Sequence, residues 1–492
     1  MGNKICAEFG HVMKVGYSPF SWGQISQLPQ IYAEFGIDVV MFYRGVNSLD
    51  SPHAEFIWEG ADGTRVLTSR FSTMPRYNFY FYIYRPVIHN EQAADTEYKW
   101  TRGGLPFHFA DSQLKENDYN LLQPVDAYHQ QNVKPAVEAI IRDQADDFTT
   151  PHIFWAEGHD SSGPNIKTVQ IIKDISRLLE NDDVVHSTLE DYAAGLKQDA
   201  DYDALPLVIG ERRSSQYDRR SGNLYGYTTS ARMYLKQMNF TAEKWLQFYG
   251  EPFNSIAGLL GLNINDEYMN IAWHLLLQNS AHDSIGGCSL DDIHEDMVNR
   301  YKQCQEISTG VFQRACQFLA KQIDLKEHDE HSIHLVAVNP NTRKRHEIVE
   351  AFVDIPEELD QGGIAITDFR NVEIPLQLIS REDSEPVLEQ LIDRPMYFKM
   401  KRYRCYLDVA DIPAFGFKTL HVKPGRKTFQ SNNMIACVDS DLPVLENQFL
   451  RIEINRNGSL DVLDKETGMQ FQELAWFYDE GEAGHAWVHE AV

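Results

Sequence analysis

What this sequence lacks removes several classes of function before any motif is read. Positive charge is scarce: 45 Lys and Arg face 72 Asp and Glu in 492 residues, for a net charge of −27. Spread along the whole chain, that charge repels a phosphate backbone, so nucleic acid is not an expected partner, and an anionic membrane surface is disfavoured as well. Long apolar runs are missing too. None approaches the roughly 20 residues that span a bilayer, and no membrane association is expected. The six cysteines, Cys6, Cys288, Cys304, Cys316, Cys405 and Cys437, lie far apart with no Cys-x-x-Cys pair. That spacing argues against a disulfide framework and for a reducing, cytoplasmic setting. The opening Met-Gly-Asn-Lys-Ile-Cys shows no apolar leader core, so no secretory signal is read there. Low-complexity tracts are absent, and 43% hydrophobic with 24% charged residues is an ordinary globular balance.

What is present is a chain long enough for several cores, at about 100–200 residues each. The first 215 or so residues alternate short apolar runs with amphipathic stretches, including Ile37–Phe42, Ile153–Trp155 and Ile166–Leu179. Such alternation predicts βα units around a parallel sheet. Within it, Asp38-Val-Val-Met-Phe-Tyr-Arg44 reads as a buried strand ending in a cation. From 216 to 325 the period turns helical, with Met233–Trp245, then Met269, Trp273 and Leu276, then Ile293, Met297, Tyr301 and Cys304. Three long helices are predicted. Ser289 with Asp292 has capping-box spacing for the third, and Gly286-Gly287 breaks the second, placing His282-Asp283 on its last turn. After the polar linker Lys326–Glu330, residues 331–492 read as strands: Ile333–Val338, Glu347–Val353, Tyr403–Val409 and Phe449–Ile454, with turns at Asn339-Pro340-Asn341 and Asn457-Gly458. An incomplete antiparallel β-sandwich is the predicted third part.

Three stretches carry residues suited to chemistry. Gln278-Asn-Ser-Ala-His282-Asp283-Ser-Ile-Gly286-Gly287 presents a His-Asp pair: an imidazole can ligate a metal, and the carboxylate can orient it or bond a sugar hydroxyl. A helix-end cap or an ordinary surface pair explains the same residues. Ile153-Phe-Trp-Ala-Glu157-Gly158-His159-Asp160-Ser-Ser-Gly163-Pro164 runs into a polar loop where a parallel-sheet enzyme holds acid–base groups. An Asx-type turn at Asp160 is the alternative. In Val15-Gly16-Tyr17-Ser-Pro19-Phe20-Ser21-Trp22-Gly23, aromatics crowd one loop, as a platform for the apolar face of a sugar or as core packing.

Taken in order, these stretches resemble the family-38 α-mannosidases of bacterial type, including mannosylglycerate-hydrolase-like members. The resemblance also runs through Leu28-Pro-Gln-Ile-Tyr32, Phe35-Gly-Ile37, Phe42-Tyr-Arg-Gly45, Trp58-Glu-Gly-Ala-Asp-Gly63, Ser230-Ala-Arg232, Glu251-Pro252 and Leu445-Glu-Asn447. It implies a multidomain fold: the C-terminal portion of a seven-stranded-type α/β barrel over 1–215, a three-helix bundle over 216–325 and the start of a β-sandwich over 331–492. It implies a retaining, Zn²⁺-dependent glycosidase acting on an α-mannoside, with Asp160 as acid/base, Trp22, Arg44 and Asp283 on the sugar and His282 as a metal ligand. A homo-oligomer is compatible with it.

Two departures accompany the resemblance. The family's early His-x-Asp zinc motif belongs upstream of the Gly16-Tyr17 loop, where only fifteen residues stand; together with the incomplete β-sandwich before Val492, the resemblance implies a chain truncated at both ends. The family's nucleophilic aspartate falls on Phe20, and a phenyl ring neither ligates zinc nor attacks an anomeric carbon. Three readings follow: a mannosidase relative, a degenerate sugar-binding relative, or an enzyme in which Glu157 and Asp160 work without metal.

Overall fold

A computed structural model describes residues 1–19, 22–92, 95, 97, 127–160, 163–213, 224–263, 266–325, 331–388, 393–425, 436–438, 442–485, 487, 490 and 492. They form two compact units: Met1–Ala231 with Gly286–Cys288 and Gly484–Glu490, and Arg232–Ile285 with Ser289–Ala483 and Ala491–Val492. Phe20 and the linker 326–330 lie outside the described residues.

The first unit opens with helix α1 (Gly2–Glu8) and is organised by β1 (Gly16–Tyr17), β2 (Val39–Met41), β3 (Glu55–Glu59), β4 (Arg65–Ser69) and β5 (Leu207–Ile209), in the order β1-β2-β4-β3-β5. Strands β1, β2 and β4 run parallel, as does β3 with β5, but β3 and β4 are antiparallel. The expectation of a parallel sheet therefore breaks at one hairpin. Its turn is Gly60-Ala61-Asp62-Gly63, where Asp62 accepts from the Thr64 backbone N–H at 3.0 Å and hydroxyl at 2.7 Å, and Gly63 takes φ 85°.

Successive β2 residues feed opposite faces of this sheet. Val39 and Met41 join Ile57, Leu67 and, from α5 (Leu189–Asp199), Tyr192 and Leu196. Val40 joins Phe56, Trp58 and Val66, with Leu28 and Tyr32 of α2 (Leu28–Glu34) packed against them. Burial on both faces is why the run reads as continuously apolar, each large side chain contributing roughly 1.5–3 kcal/mol. The ladder covers only Val39–Met41, so Arg44 stands beyond the strand rather than at its last position. A further core joins α3 (Val133–Gln144) and α4 (Lys167–Leu178) to a π-helical stretch, Tyr80–His89, through Ile83, Val87, Ile140, Ile171 and Ile175. Pro86 sits inside that stretch, and its missing N–H favours the wider winding.

Ile153–Trp155, read from sequence as a buried strand, has no ladder partner, and Ile153 is 48% exposed. The buried Asn78 instead bonds one backbone group within the run and one just past it. Asn78 Nδ2 donates to the Phe154 carbonyl at 3.0 Å, and the Ala156 N–H donates to Asn78 Oδ1 at 2.7 Å.

In the second unit three helical rods pack together. The first is α6 (Met233–Glu243), a π-helical stretch Lys244–Gly250 and α7 (Glu251–Leu259); the others are α8 (Asp266–Asn279) and α10 (Asp291–Ala320). Leu235, Leu246, Met269, Leu276, Met297 and Tyr301 make their shared core. Two local expectations change. The third rod starts at Asp291 with Leu290 as its cap residue and no side-chain cap, so Ser289 and Asp292 form no capping box. The second ends at Asn279, three residues before His282, because the Ser280 N–H closes a tight turn on Leu277 and its hydroxyl bonds the Leu276 carbonyl. His282 opens a separate one-turn helix, α9 (His282–Gly286).

Beyond the helices, β6 (Ile333–Asn339), β8 (Gly363–Asp368) and β13 (Gly416–Gly425) form one sheet; β7 (Arg345–Pro356), β9 (Leu376–Ser384) and β12 (Met400–Ile412) form another. Both are antiparallel and share a core that includes Ile355, Ile366, Leu376, Tyr403, Leu407 and Leu420. A two-stranded ribbon, β10 (Val387–Leu388) with β11 (Met396–Tyr397), accompanies them. A five-stranded meander follows: β14 (Ala436–Val438), β15 (Val444–Glu446), β16 (Leu450–Ile454), β17 (Leu460–Asp464) and β18 (Gln470–Leu474). The Asn457-Gly458 turn joins β16 to β17 as the sequence predicts, with Gly458 at φ 85°. No helix among the described residues is long and apolar enough to cross a membrane.

Candidate active site

Because β1, β2 and β4 are parallel, their carboxyl ends share one edge of the first unit's sheet, the edge at which α/β folds present ligand-binding residues. Tyr17 ends β1, Tyr43 and Arg44 follow β2, and Phe71 follows β4. The Tyr17 and Tyr43 rings meet Phe71 edge-on, at 6.1 and 6.2 Å between centroids. Two residues of the loop after β4 adopt left-handed backbone, Phe71 at φ 63° and Met74 at φ 50°. Each costs about 1–2 kcal/mol, which the surrounding packing sustains.

That loop delivers Arg76 and Tyr77 to Asp160. The Tyr77 hydroxyl donates to the Asp160 carboxylate, 3.0 and 3.1 Å from its two oxygens. Arg76 Nη1 lies 3.2 Å from Asp160 Oδ1; the guanidinium-bearing side chain is only 8% exposed, whereas that of Asp160 is 57% exposed. The Arg76 guanidinium stacks over the Tyr77 ring at 4.0 Å. Burial pushes the Arg76 pKa below its ordinary value; Tyr43 and Asp160 oppose that shift, and Arg44 adds to it. Arg44 lies over the Tyr43 ring at 5.6 Å and the Tyr225 ring at 4.6 Å. Next to Asp160, the His159 ring stacks on Tyr80 at 5.2 Å and meets Tyr77 at 5.1 Å. Of the residues chosen from sequence, Arg44 and Asp160 are thus joined through Tyr43, Arg76 and Tyr77.

Glu157 faces elsewhere. Its carboxylate accepts a hydrogen bond from the Thr168 hydroxyl of α4, whereas that of Asp160 accepts from the Tyr77 hydroxyl. The Trp22 ring packs on Gly286: a Cβ added there would lie 2.5 Å from Trp22 Cη2 and nearer still to Cζ3. Gly286 therefore makes room for an aromatic ring, and the helix-ending left-handed residue is Gly287, at φ 82°. In the second unit His282 Nε2 lies 3.6 Å from Asp283 Oδ2, too long for a hydrogen bond, and both side chains are exposed.

Sequence reasoning missed Arg76, Tyr77 and Tyr43. Pro75-Arg76-Tyr77 a few residues past a strand end was the available signal, but nothing in one-dimensional spacing shows that Asp160, 83 residues from Tyr77, meets them.

Two family models match the chain: the glycosyl hydrolases family 38 N-terminal domain over residues 2–220, and the alpha mannosidase middle domain over residues 224–319. The chain belongs to glycoside hydrolase family 38. The family 38 chain is 24% identical over 509 residues to a putative mannosylglycerate hydrolase of Halalkalibacterium halodurans, a match covering 97% of this chain and 51% of the relative. A shorter match, 38% over 73 residues, joins it to alpha-mannosidase G of Dictyostelium discoideum. Among solved structures, an alpha-mannosidase from Enterococcus faecalis shares its fold with a TM-score of 0.74 at 22% identity, covering 100% of this chain and 52% of that one. A second family 38 protein of that organism gives a TM-score of 0.67 at 20% identity, covering 100% and 50%. The chain spans about half the length of the relatives it matches along its whole length.

Zinc in catalytic sites takes three protein ligands. Among the described residues no group of three His, Cys, Asp or Glu side chains is placed to hold a metal ion. The described residues therefore do not fit a catalytic zinc centre, and no chemical step is assigned to one.

Proposed function

We propose that this chain is the sugar-binding and acid–base portion of an α-mannosidase-type glycoside hydrolase acting on α-mannosides. The supporting observation is the Asp160 cluster: an exposed carboxylate held by Tyr77 and the buried Arg76, beside Arg44, at the carboxyl edge of β1, β2 and β4. A glycosidase acid/base must reach the glycosidic oxygen while its rotamer is fixed, and two partners on a 57%-exposed carboxylate meet both needs. In this reading Trp22 supplies the aromatic face under the sugar, Arg44 bonds hydroxyls, and retention is the stereochemical course. Its framework is the barrel portion over 1–215, bundle over 216–325 and sandwich over 331–492. Zinc dependence is a separate proposal that needs ligands from outside the described residues beside His282; loss of turnover on chelation, restored by Zn²⁺, is its test.

Phe20, where the family pattern calls for the nucleophile, favours a second reading: a relative that binds mannosides without cleaving them. Calorimetry with methyl α-mannoside, run beside an aryl α-mannoside turnover assay, separates the two. Binding with turnover supports hydrolysis, binding without turnover supports the second reading, and neither refutes both.

A further inference from the structure

The second unit carries a cavity of its own, about 510 Å³, between the outer face of the β6-β13-β8 sheet and Asp324-Leu325 just past α10. Leu420 and Val422 of β13 point into the sandwich core, so the alternate residues Thr419 and His421 face this cavity. His421 pairs directly with His334 of β6, and the two imidazoles stack at 5.1 Å and 25°. Two turns complete the lining. In the one after β8, the Asp368 carboxylate accepts from the Arg370 and Val372 backbone N–H groups at 2.9 Å each, and Lys423 donates to Asn371 at 2.9 Å. This holds Phe369 outward, with the Arg370 guanidinium 5.2 Å from its ring. In the other, β12 slips register on β7 between Val409 and Ile412, and the buried Asn339 donates to the Pro413 carbonyl at 3.0 Å. Three non-glycine residues of these turns are left-handed, Asn371 and Asp411 at φ 60° and Phe415 at φ 46°. Such strain persists only where surrounding bonds over-determine the backbone, and it collects at ligand sites.

We propose that this cavity is a second carbohydrate site, one that takes a neutral saccharide. Its volume falls within the roughly 300–1,000 Å³ of small-ligand sites. Its lining carries both signs of charge, Asp368 and Asp411 with Arg370 and Lys418, so an ion of either sign would meet side chains of its own sign. A hydroxyl suits such a wall, because it donates to a carboxylate and accepts from a cation at once. The apolar C–H face of a sugar needs a flat, open ring, and Phe369 and Phe417 supply two, 69% and 50% exposed. The turns hold these groups in place before a ligand arrives, which reduces the ordering cost of binding. The proposal goes beyond the mannoside reading and requires neither Asp160 nor turnover.

Isothermal titration of the whole chain tests this with α-mannotriose, maltotriose, inorganic phosphate and spermidine, in the parent, Phe369→Ala, Arg370→Ala and Asp160→Asn. The expected result is that a triose binds the parent and loses at least about tenfold in affinity in F369A and R370A, while D160N retains that binding. Both replaced side chains are exposed on a turn, so Tm should stay unchanged. Should either variant fail to fold, Thr419→Val reads the same loss from the sheet. Two classes of triose site, one lost in D160N and one in F369A, uphold this proposal together with the mannoside reading. Triose binding that weakens in D160N but in none of the other variants overturns the proposal and leaves the mannoside reading standing. Binding of phosphate or spermidine that depends on Phe369 and Arg370, with no triose binding there, overturns it as well. Binding of no probe overturns it and counts against the mannoside reading too.

Discussion

Replacing Gly286 by alanine puts one methyl group where the Trp22 ring now lies. The new carbon would stand 2.5 Å from Cη2, nearer to Cζ3, and 3.3 Å from Cε3. Carbon atoms in contact rest at about 3.5–4.0 Å, so the ring must retreat by about 1 Å or more, or swing about its two side-chain torsions. The helix backbone is not the obstacle, since Gly286 has no positive φ and alanine favours helix. Overpacking of this kind costs roughly 1–3 kcal/mol. The strained atoms belong to the free end of a side chain, so displacement of Trp22 should exceed the loss of stability. The expected outcome for G286A is a stable fold with a small drop in Tm, a shifted tryptophan emission spectrum, and mannoside affinity lowered at least about tenfold. A parallel Trp22→Phe variant separates ring position from ring loss. Unchanged emission and unchanged Tm in G286A would show that Trp22 does not pack on Gly286, and unchanged affinity would remove Trp22 from the sugar site.

Tyr77→Phe removes both contacts from the Tyr77 hydroxyl to Asp160 and should lower kcat about tenfold, near 1.4 kcal/mol, with little change in KM or Tm; a loss confined to KM would make Tyr77 a binding residue instead. His294 on α10 is 1% exposed, and burial, reinforced by Arg232, holds its pKa below the ordinary value of 6.5. The unfolded chain takes up that proton first as pH falls, so stability present above pH ~6.5 is lost below it, at no more than about 1.4 kcal/mol per pH unit. Urea midpoints at pH 7.5 and 5.5 should differ less in His294→Leu than in the parent, and identical differences would contradict this. Phe20→Asp should raise aryl α-mannoside turnover over the parent chain; no change would mean that the nucleophile position has been assigned to the wrong residue.

Periodicity made the secondary structure legible where one rule governed a segment. Val39–Met41 was readable because burial on both faces leaves an unbroken apolar run, and α4 and the three helical rods because their apolar spacing is helical over many turns. It misled where side chains substitute for backbone partners. Ile153–Trp155 has strand composition, yet the carboxamide of Asn78, some 75 residues away, bonds the Phe154 carbonyl and the Ala156 N–H just past the run. The glycines at 286 and 287 have the look of breakers for α8, but Ser280 ends that helix and Gly286 accommodates Trp22. Among the candidate site residues, Asp160, Arg44 and Trp22 stand out by chemistry and by resemblance, but the residues that hold Asp160 do not. Arg76 and Tyr77 look in sequence like an ordinary loop pair, and their role comes from the parallel arrangement that gives β1, β2 and β4 a common edge.

The assignment of Asp160 as acid/base is tested most directly by leaving-group dependence. Rates on a dinitrophenyl α-mannoside, which departs without protonation, and on an alkyl α-mannoside, which needs it, are compared in the parent chain and in Asp160→Asn. Acid catalysis by Asp160 predicts a loss of about 10²–10⁴ on the alkyl substrate and a much smaller first-step loss on the activated one. Equal losses on both substrates, no loss on either, or no turnover of either by the parent chain would contradict it.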